Sequence, residues 1–298
     1  MRIIPKTALS LVCLAGLLPA CSTSEPESSA RPNIVVTYSV LGSVVADLVG
    51  DAADVTILIP DGQDPHDYQP SARDIETINN ADIVVSNGLD FEEGLEDVLA
   101  SAIDSGVSVY MVGENITVRE SNENHAEEDG DAHGAGDPHL WLSPLSFTQA
   151  IPSLTAAINN ATGLSIDETA ALNQLTQLDN EIKEVIDNIS SCVLVSGHDE
   201  MGYFADRYGC TVIGAIIPSF STTSEATAKQ IADLKVLAES NNVKAVFTGL
   251  GTPAEVSEQL ASELGIAAVS LSTHYLNGAA NYREFMLNLA NQIAEALR

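Results

Sequence analysis

The chain switches hydrophobic period again and again between two values, and that alternation constrains its fold more than any other feature. From Asn33 onward, short apolar runs at Ile34 to Thr37, Val55 to Ile59, Ile83 to Val85 and Val107 to Val112 are separated by stretches of helical period. Such runs pair in parallel, because each intervening helix carries the chain back to the edge of the sheet where the next strand begins. The alternation resumes after Cys192, with strands expected near Cys192 to Ser196, Thr211 to Ile216, Lys244 to Thr248 and Ile266 to Leu271, and a closing helix near Tyr282 to Leu297. The expected fold class is α/β, with two β/α lobes that each hold a four-stranded, mostly parallel sheet. A length of 298 residues and an apolar content of 45% suffice for two such cores.

Between the two halves, Leu172, Leu175, Leu178, Ile182, Val185 and Ile189 recur every three or four residues. They make one continuous apolar helical face of about five turns. Ser165 followed by Glu168 predicts a capping box at its start. The expected organisation is an N-terminal lobe over 33–160, a long rigid connecting helix over 161–190 and a C-terminal lobe over 191–298. A stiff connector limits how far the lobes swing.

Residues 1–21 stand apart. Arg2 and Lys6 give a basic start, Leu9 to Leu18 an apolar run, and Pro19-Ala20-Cys21 a boundary of small residues. The pattern is an export signal, too short to span a bilayer durably. Leu17-Leu18-Pro19-Ala20-Cys21 resembles a bacterial lipobox, with Pro19 unusual there, so Cys21 is the expected lipidation site; the alternative is an ordinary cleaved signal. Residues 22–32, rich in Ser, Pro and Glu, read as a solvated tether. No later segment offers eighteen consecutive apolar residues, so the expected location is extracytoplasmic, held to the membrane through lipid alone.

The formal charge is -30, and loss of the two cations Arg2 and Lys6 with the leader takes it to -32. A chain so acidic repels nucleic acid and anionic lipid and attracts cations. Beyond Cys13 and Cys21, only Cys192 and Cys210 remain, each opening a predicted strand with one helix between them. Neighbouring parallel strands start side by side, so a disulfide is expected in an oxidising compartment. Thiolate metal ligation is the weaker alternative, because the ligand crevice of a parallel sheet lies at the opposite strand ends. Residues 120–137 are acidic and of low complexity, with His125 and His133 among Glu, Asp, Asn and Gly, and read as a mobile loop.

Three of the six histidines follow strands or sit in short loops: His66 in Asp64-Pro65-His66-Asp67-Tyr68, His139 in Asp137-Pro138-His139-Leu140-Trp141, and His198 in Ser196-Gly197-His198-Asp199-Glu200. Proline fixes its own φ and keeps the residue before it extended, so each Asp-Pro-His triplet aims its imidazole in a preset direction. Loops beyond the carboxyl ends of parallel strands converge on a crevice, and neutral imidazoles there are ligands for zinc, copper or nickel.

These three motifs, with Gly202-Tyr203-Phe204-Ala205-Asp206-Arg207-Tyr208-Gly209 after the last, resemble in order and spacing the zinc and manganese solute-binding lipoproteins of ABC transporters. The resemblance runs from about Asn33 to the C-terminus. It implies two β/α lobes joined by a rigid helix, a metal in the cleft, and handover to a membrane permease. His66, His139 and His198 match the first three ligands. Members resembling manganese binders carry a carboxylate at the third position, so His198 favours Zn2+ over Mn2+, which prefers oxygen. The acidic loop with His125 and His133 sits where zinc-type members have a His-rich capture loop.

The fourth ligand is where the sequence departs from the pattern. Ser272 stands where the family often has Asp, and Gly249 where many members have Glu. His274, two residues beyond Ser272, is the candidate, with water or an acid such as Glu200 as alternatives. The expected function is capture of Zn2+ for an ABC permease by a monomer; a manganese carrier and a metal-binding surface adhesin are the alternatives. A zinc hydrolase is disfavoured by the absence of His-Glu-x-x-His and Gly-x-Ser-x-Gly, with Asp199 and Glu200 the only acids placed to act as a base.

Overall fold

Eight apolar runs become eight short strands in a computed structural model that describes residues 31–120 and 136–298. Residues 31–298 pack as one compact unit. The leader, Cys21, most of the tether, and His125 and His133 lie outside the described residues.

In the N-terminal half, β1 (Asn33–Val36), β2 (Asp54–Ile57), β3 (Ile83–Ser86) and β4 (Val109–Met111) form one parallel sheet in the order β2-β1-β3-β4. Ile34, Val36 and Val85 face a core shared with α1 (Ser39–Val49), whereas Val35 and Val84 face α2 (Ala72–Asn79) and α3 (Glu96–Asp104). Both faces of β1 and β3 are therefore buried, as the unbroken apolar runs require.

In the C-terminal half, β5 (Val193–His198) pairs in parallel with β6 (Thr211–Ile217), and β7 (Ala245–Thr248) with β8 (Ala267–Ser270). The four strands expected in one sheet are two hydrogen-bonded pairs, with β5 lying against β7. A register shift at Leu194/Val195 interrupts the β5 ladder opposite Gly214. Helices α6 (Gly202–Tyr208), α7 (Ala228–Ser240) and α8 (Ala254–Leu264) complete this half. A disulfide joins Cys192 to Cys210 just before β5 and β6, with Cα atoms 4.6 Å apart.

The segment between the halves is a pair of helices, α4 (Pro144–Thr162) and α5 (Thr169–Asp187). The capping box expected at Ser165 does not form. Helix α5 starts at Thr169, whose N–H donates to Asp167 Oδ1 at 2.9 Å, so the aspartate two residues earlier serves the first turn. Leu175, Leu178, Ile182 and Ile186 of α5 are buried against α4, α1 and the C-terminal helix α9 (Tyr282–Leu297). Asp179, buried on that same helix, pairs with Arg207 of α6 and accepts from Tyr208 Oη at 3.4 Å. One core thus runs through residues of both halves. Among the described residues no helix is long and apolar enough to cross a membrane.

Candidate metal centre

All four candidate histidines arrive at one point. His66 follows β2, His139 precedes a 3-10 turn at Leu140–Leu142, His198 ends β5 and His274 follows β8. Each is at most 2% exposed, and one ring nitrogen from each lies within 4.8 Å of the others.

Local chemistry sets the backbone at His66 and His139 and orients the rings of His139 and His274. Asp64 Oδ1 accepts from the His66 N–H at 3.1 Å, and Asp137 Oδ1 from the His139 N–H at 3.0 Å, so both Asp-Pro-His triplets close the same tight turn. Asp137 Oδ1 also stands 2.8 Å from His139 Nδ1. That bond places the proton on Nδ1 and turns the Nε2 lone pair to the centre, as second-layer carboxylates do for metal-bound imidazoles. His274 Nδ1 lies 3.0 Å from Thr273 Oγ1, leaving its buried Nε2 without a partner. Trp141 holds that segment by donating from Nε1 to Thr273 O at 2.6 Å, and Tyr282 Oη donates to Trp141 O at 2.6 Å.

The six ring-centroid distances among the four histidines are 5.6, 5.7, 5.7, 5.0, 5.7 and 5.1 Å. Six nearly equal edges define a tetrahedron. An imidazole bound through one nitrogen at about 2.0–2.1 Å has its centroid about 3.2 Å from the ion, so four in a tetrahedron stand about 5.2 Å apart. His139 Nε2 and His198 Nε2 approach to 3.0 Å. With both nitrogens of His66 buried and unpartnered as well, the lone pairs converge on a space that suits a cation.

Burial sets the electrostatics. It lowers the pKa of His139, His198 and His274 well below the ordinary histidine value, and the neighbouring rings add to this. All three present neutral, ligating imidazole. Burial also raises Asp137 to about 7, against the pull of the His139 N–H and Arg119, and Glu200 to about 8, with Asp64, Asp137 and Asp199 adding repulsion.

Glu200, the alternative fourth ligand, stands behind the rings instead, 3.8 Å from His198 Nδ1 and 3.8 Å from His274 Nδ1. Ser272 turns away and donates to Tyr275 O at 2.8 Å. A Cβ on Gly249 would lie 3.1 Å from Leu271 O and 3.9 Å from Glu200 Oε1, so Gly249 and Glu200 are neighbours beside the centre.

Sequence reasoning missed the support around the rings. Arg119 Nε donates to Asp206 of α6 at 2.7 Å and its NH1 to Asp137 at 3.3 Å. Phe91 packs edge-on to His66 at 4.9 Å and joins Tyr38 and Trp141 in an aromatic wall. Only Trp141 carried a signal, as the sole tryptophan and part of a histidine motif.

Residues 34–296 match the family described as ZnuA, the periplasmic zinc-uptake complex component A. The high-affinity zinc uptake system protein ZnuA of Bacillus subtilis is 28% identical over 86% of this chain and 84% of its own length. The manganese ABC transporter substrate-binding lipoprotein PsaA of Streptococcus pneumoniae is 28% identical over 80% of this chain and 79% of its own. The structure of the periplasmic zinc-binding protein TroA of Treponema pallidum superposes with a TM-score of 0.78 at 23% identity, over 90% of this chain and 99% of that one.

Proposed function

The chain belongs to the zinc-uptake component A family of periplasmic metal-binding proteins, whose members work with ABC transporters, and from that membership we propose that His66, His139, His198 and His274 bind the transported Zn2+. The family is one of substrate-binding transport components, not enzymes. The observation that carries the ligand assignment is the tetrahedron of four buried imidazoles, one ring nitrogen of each lying within 4.8 Å of the others. Four neutral nitrogens suit zinc, whereas manganese favours oxygen, and the inner set contains no carboxylate. This separates the site chemically from a manganese carrier, although a manganese-transport relative is as similar in sequence as a zinc-transport one. Four protein ligands also leave no open position for a substrate or a reactive water, which fits a carrier better than a hydrolase.

In this reading, lobes 33–160 and 191–298 enclose the ion and 161–190 connects them. Lipid on Cys21 tethers a monomer to the membrane, and His125 and His133 of the acidic loop gather zinc ahead of the central site. A dedicated permease receives the ion.

The test is a titration of the metal-free protein with Zn2+ and with Mn2+, each against a chelator of known affinity at neutral pH. One tight zinc site, with manganese weaker by orders of magnitude, is expected. Manganese binding as tight as zinc, or no tight site for either, would sink the reading.

A further inference from the structure

Four buried imidazoles around one ion leave no route for exchange unless a ligand moves. A cavity of about 130 Å³ reaches the centre at His66, lined also by Leu89, Glu93, Phe220 and Ser221; none of the other three histidines borders it. Its two lips come from opposite halves of the chain. On one, Leu89 and Asp90 hold φ of 59° and 58°, left-handed values that non-glycine residues adopt at a cost in strain. On the other, residues 219–224 supply a run of hydroxyls beyond β6.

Two hydrogen bonds join the lips. Ser221 Oγ donates to Glu93 Oε1 at 2.5 Å, and Thr222 Oγ1 donates to Asp64 Oδ2 at 2.7 Å. The single Ser221 proton is committed to Glu93, so Thr223 supplies the proton in the 2.7 Å contact between their hydroxyls. Both acceptors also address His66. Glu93 Oε1 lies 3.7 Å from its Nδ1, and the second oxygen of Asp64 takes its backbone N–H. Gly251, at φ 79°, makes room for the join, because a Cβ there would lie 2.4 Å from Thr222 Cβ and 2.7 Å from Asp64 Oδ2.

Resting on the zinc reading of the centre, we propose that Asp64, Glu93, Ser221 and Thr222 form a latch on His66, and that His66 is the ligand by which the ion enters and leaves. The donors are uncharged hydroxyls and the Glu93 side chain is already one-third exposed. Opening this side therefore strands no buried charge. His139 is the opposite case, since freeing it takes the imidazole from Asp137, whose carboxyl is 0% exposed.

The experiment follows release of Zn2+ from the full chain into excess chelator by stopped flow. The Ser221→Ala/Thr222→Ala double variant is expected to release zinc about tenfold faster, with its association rate within about threefold of wild type. Thr222→Ser, which keeps the hydroxyl, is expected to release at close to the wild-type rate. Asp206→Ala, which removes the side-chain bond from Arg119 to α6 and touches neither lip, is expected to change release by less than about threefold. A double variant that releases at the wild-type rate, or an Asp206→Ala variant accelerated as much as the double variant, overturns the latch. Wild-type protein that holds no zinc overturns the transport reading along with it, whereas tight wild-type binding with unaltered release in the double variant overturns the latch alone.

Discussion

The two Asp-Pro-His triplets are the same three residues put to different uses. In both, one aspartate oxygen grips the backbone N–H of its own histidine. They differ in what the rest of the carboxylate does. Asp137 is fully buried, holds the imidazole Nδ1 and pairs with Arg119, which reaches Asp206 in the other half. Asp64 is partly exposed, leaves the His66 ring without a hydrogen bond, and reaches across the cleft to the hydroxyl of Thr222. One tripeptide therefore builds a fixed ligand and an exchangeable one. Motif identity sets the turn; the long-range partner of the second oxygen sets how firmly the ring is held.

The largest effects come from removing the rings. His139→Ala is expected to lower zinc affinity by about a hundredfold or more, and His66→Ala by at least about tenfold but by less than His139→Ala, because the ring that Asp137 holds survives in the second case. Calorimetric titration of both variants decides this. A His66→Ala loss equal to or larger than that of His139→Ala breaks the contrast between fixed and exchangeable ligands.

Next come the aspartates. Asp137→Asn removes the charge that orients His139 and balances Arg119, and should cost about 10–100-fold in zinc affinity, the range for groups behind a metal ligand. Asp64→Asn keeps an oxygen for the His66 N–H and should cost less than about fivefold. Comparable losses in the two variants would mean that the long-range partners do not matter.

The folding pattern was largely legible in the sequence, and so were the four gathered histidines as candidates, for a physical reason. Strands such as Ile34–Val36 and Ile83–Val85 are buried on both faces and so had to be continuous apolar runs, and the prolines beside His66 and His139 fix direction locally. His274 stood at the correct end of a strand, and the bond from Trp141 Nε1 to Thr273 O that holds its segment joins residues 132 positions apart. The start of α5 was misplaced because Ser165 and Glu168 spell a capping box that does not form, and the first helical N–H, that of Thr169, goes to Asp167 instead. What could not be read was the joining of distant residues: Ser221 meets Glu93 across 128 positions, Thr222 meets Asp64 across 158, and Arg119 meets Asp206 across 87. Serines and threonines at a loop carry no mark of which carboxylate they will face.

A smaller effect sharpens the contrast through protons. In the metal-free protein burial lifts Glu200 to about 8 and Asp137 to about 7, so each binds a proton below those values. A divalent ion beside them favours the ionised form, so binding should expel those protons. The sign follows: zinc affinity is highest above pH 8 and falls as pH drops through 8 and then 7. The buried histidines, with pKa values held down, start to compete only at lower pH. Calorimetry in buffers of different ionisation enthalpy should show almost no proton released per zinc at pH 9 and close to two at pH 6.5. Asp137→Asn should remove one of the two. Release that begins only below pH 6.5 would mean that the histidines, not the carboxyls behind them, control the linkage.

The smallest effect at the site should come from the disulfide, at the far ends of the strands that deliver His198. Cys192 and Cys210 close a loop 18 residues apart in sequence, which in the chain-entropy model stabilises the fold by roughly 3 kcal/mol. Cys192→Ala/Cys210→Ala should lower the denaturation midpoint accordingly. Yet His198 sits at the other end of β5, its position set by β6, β7 and the rings around it. Zinc affinity and release rate should therefore stay within about twofold of wild type under conditions where the variant is folded. A variant that is folded by circular dichroism but releases zinc as fast as the latch variant would show that β5 itself, and not the lip at Ser221 and Thr222, governs how the C-terminal half closes on His66.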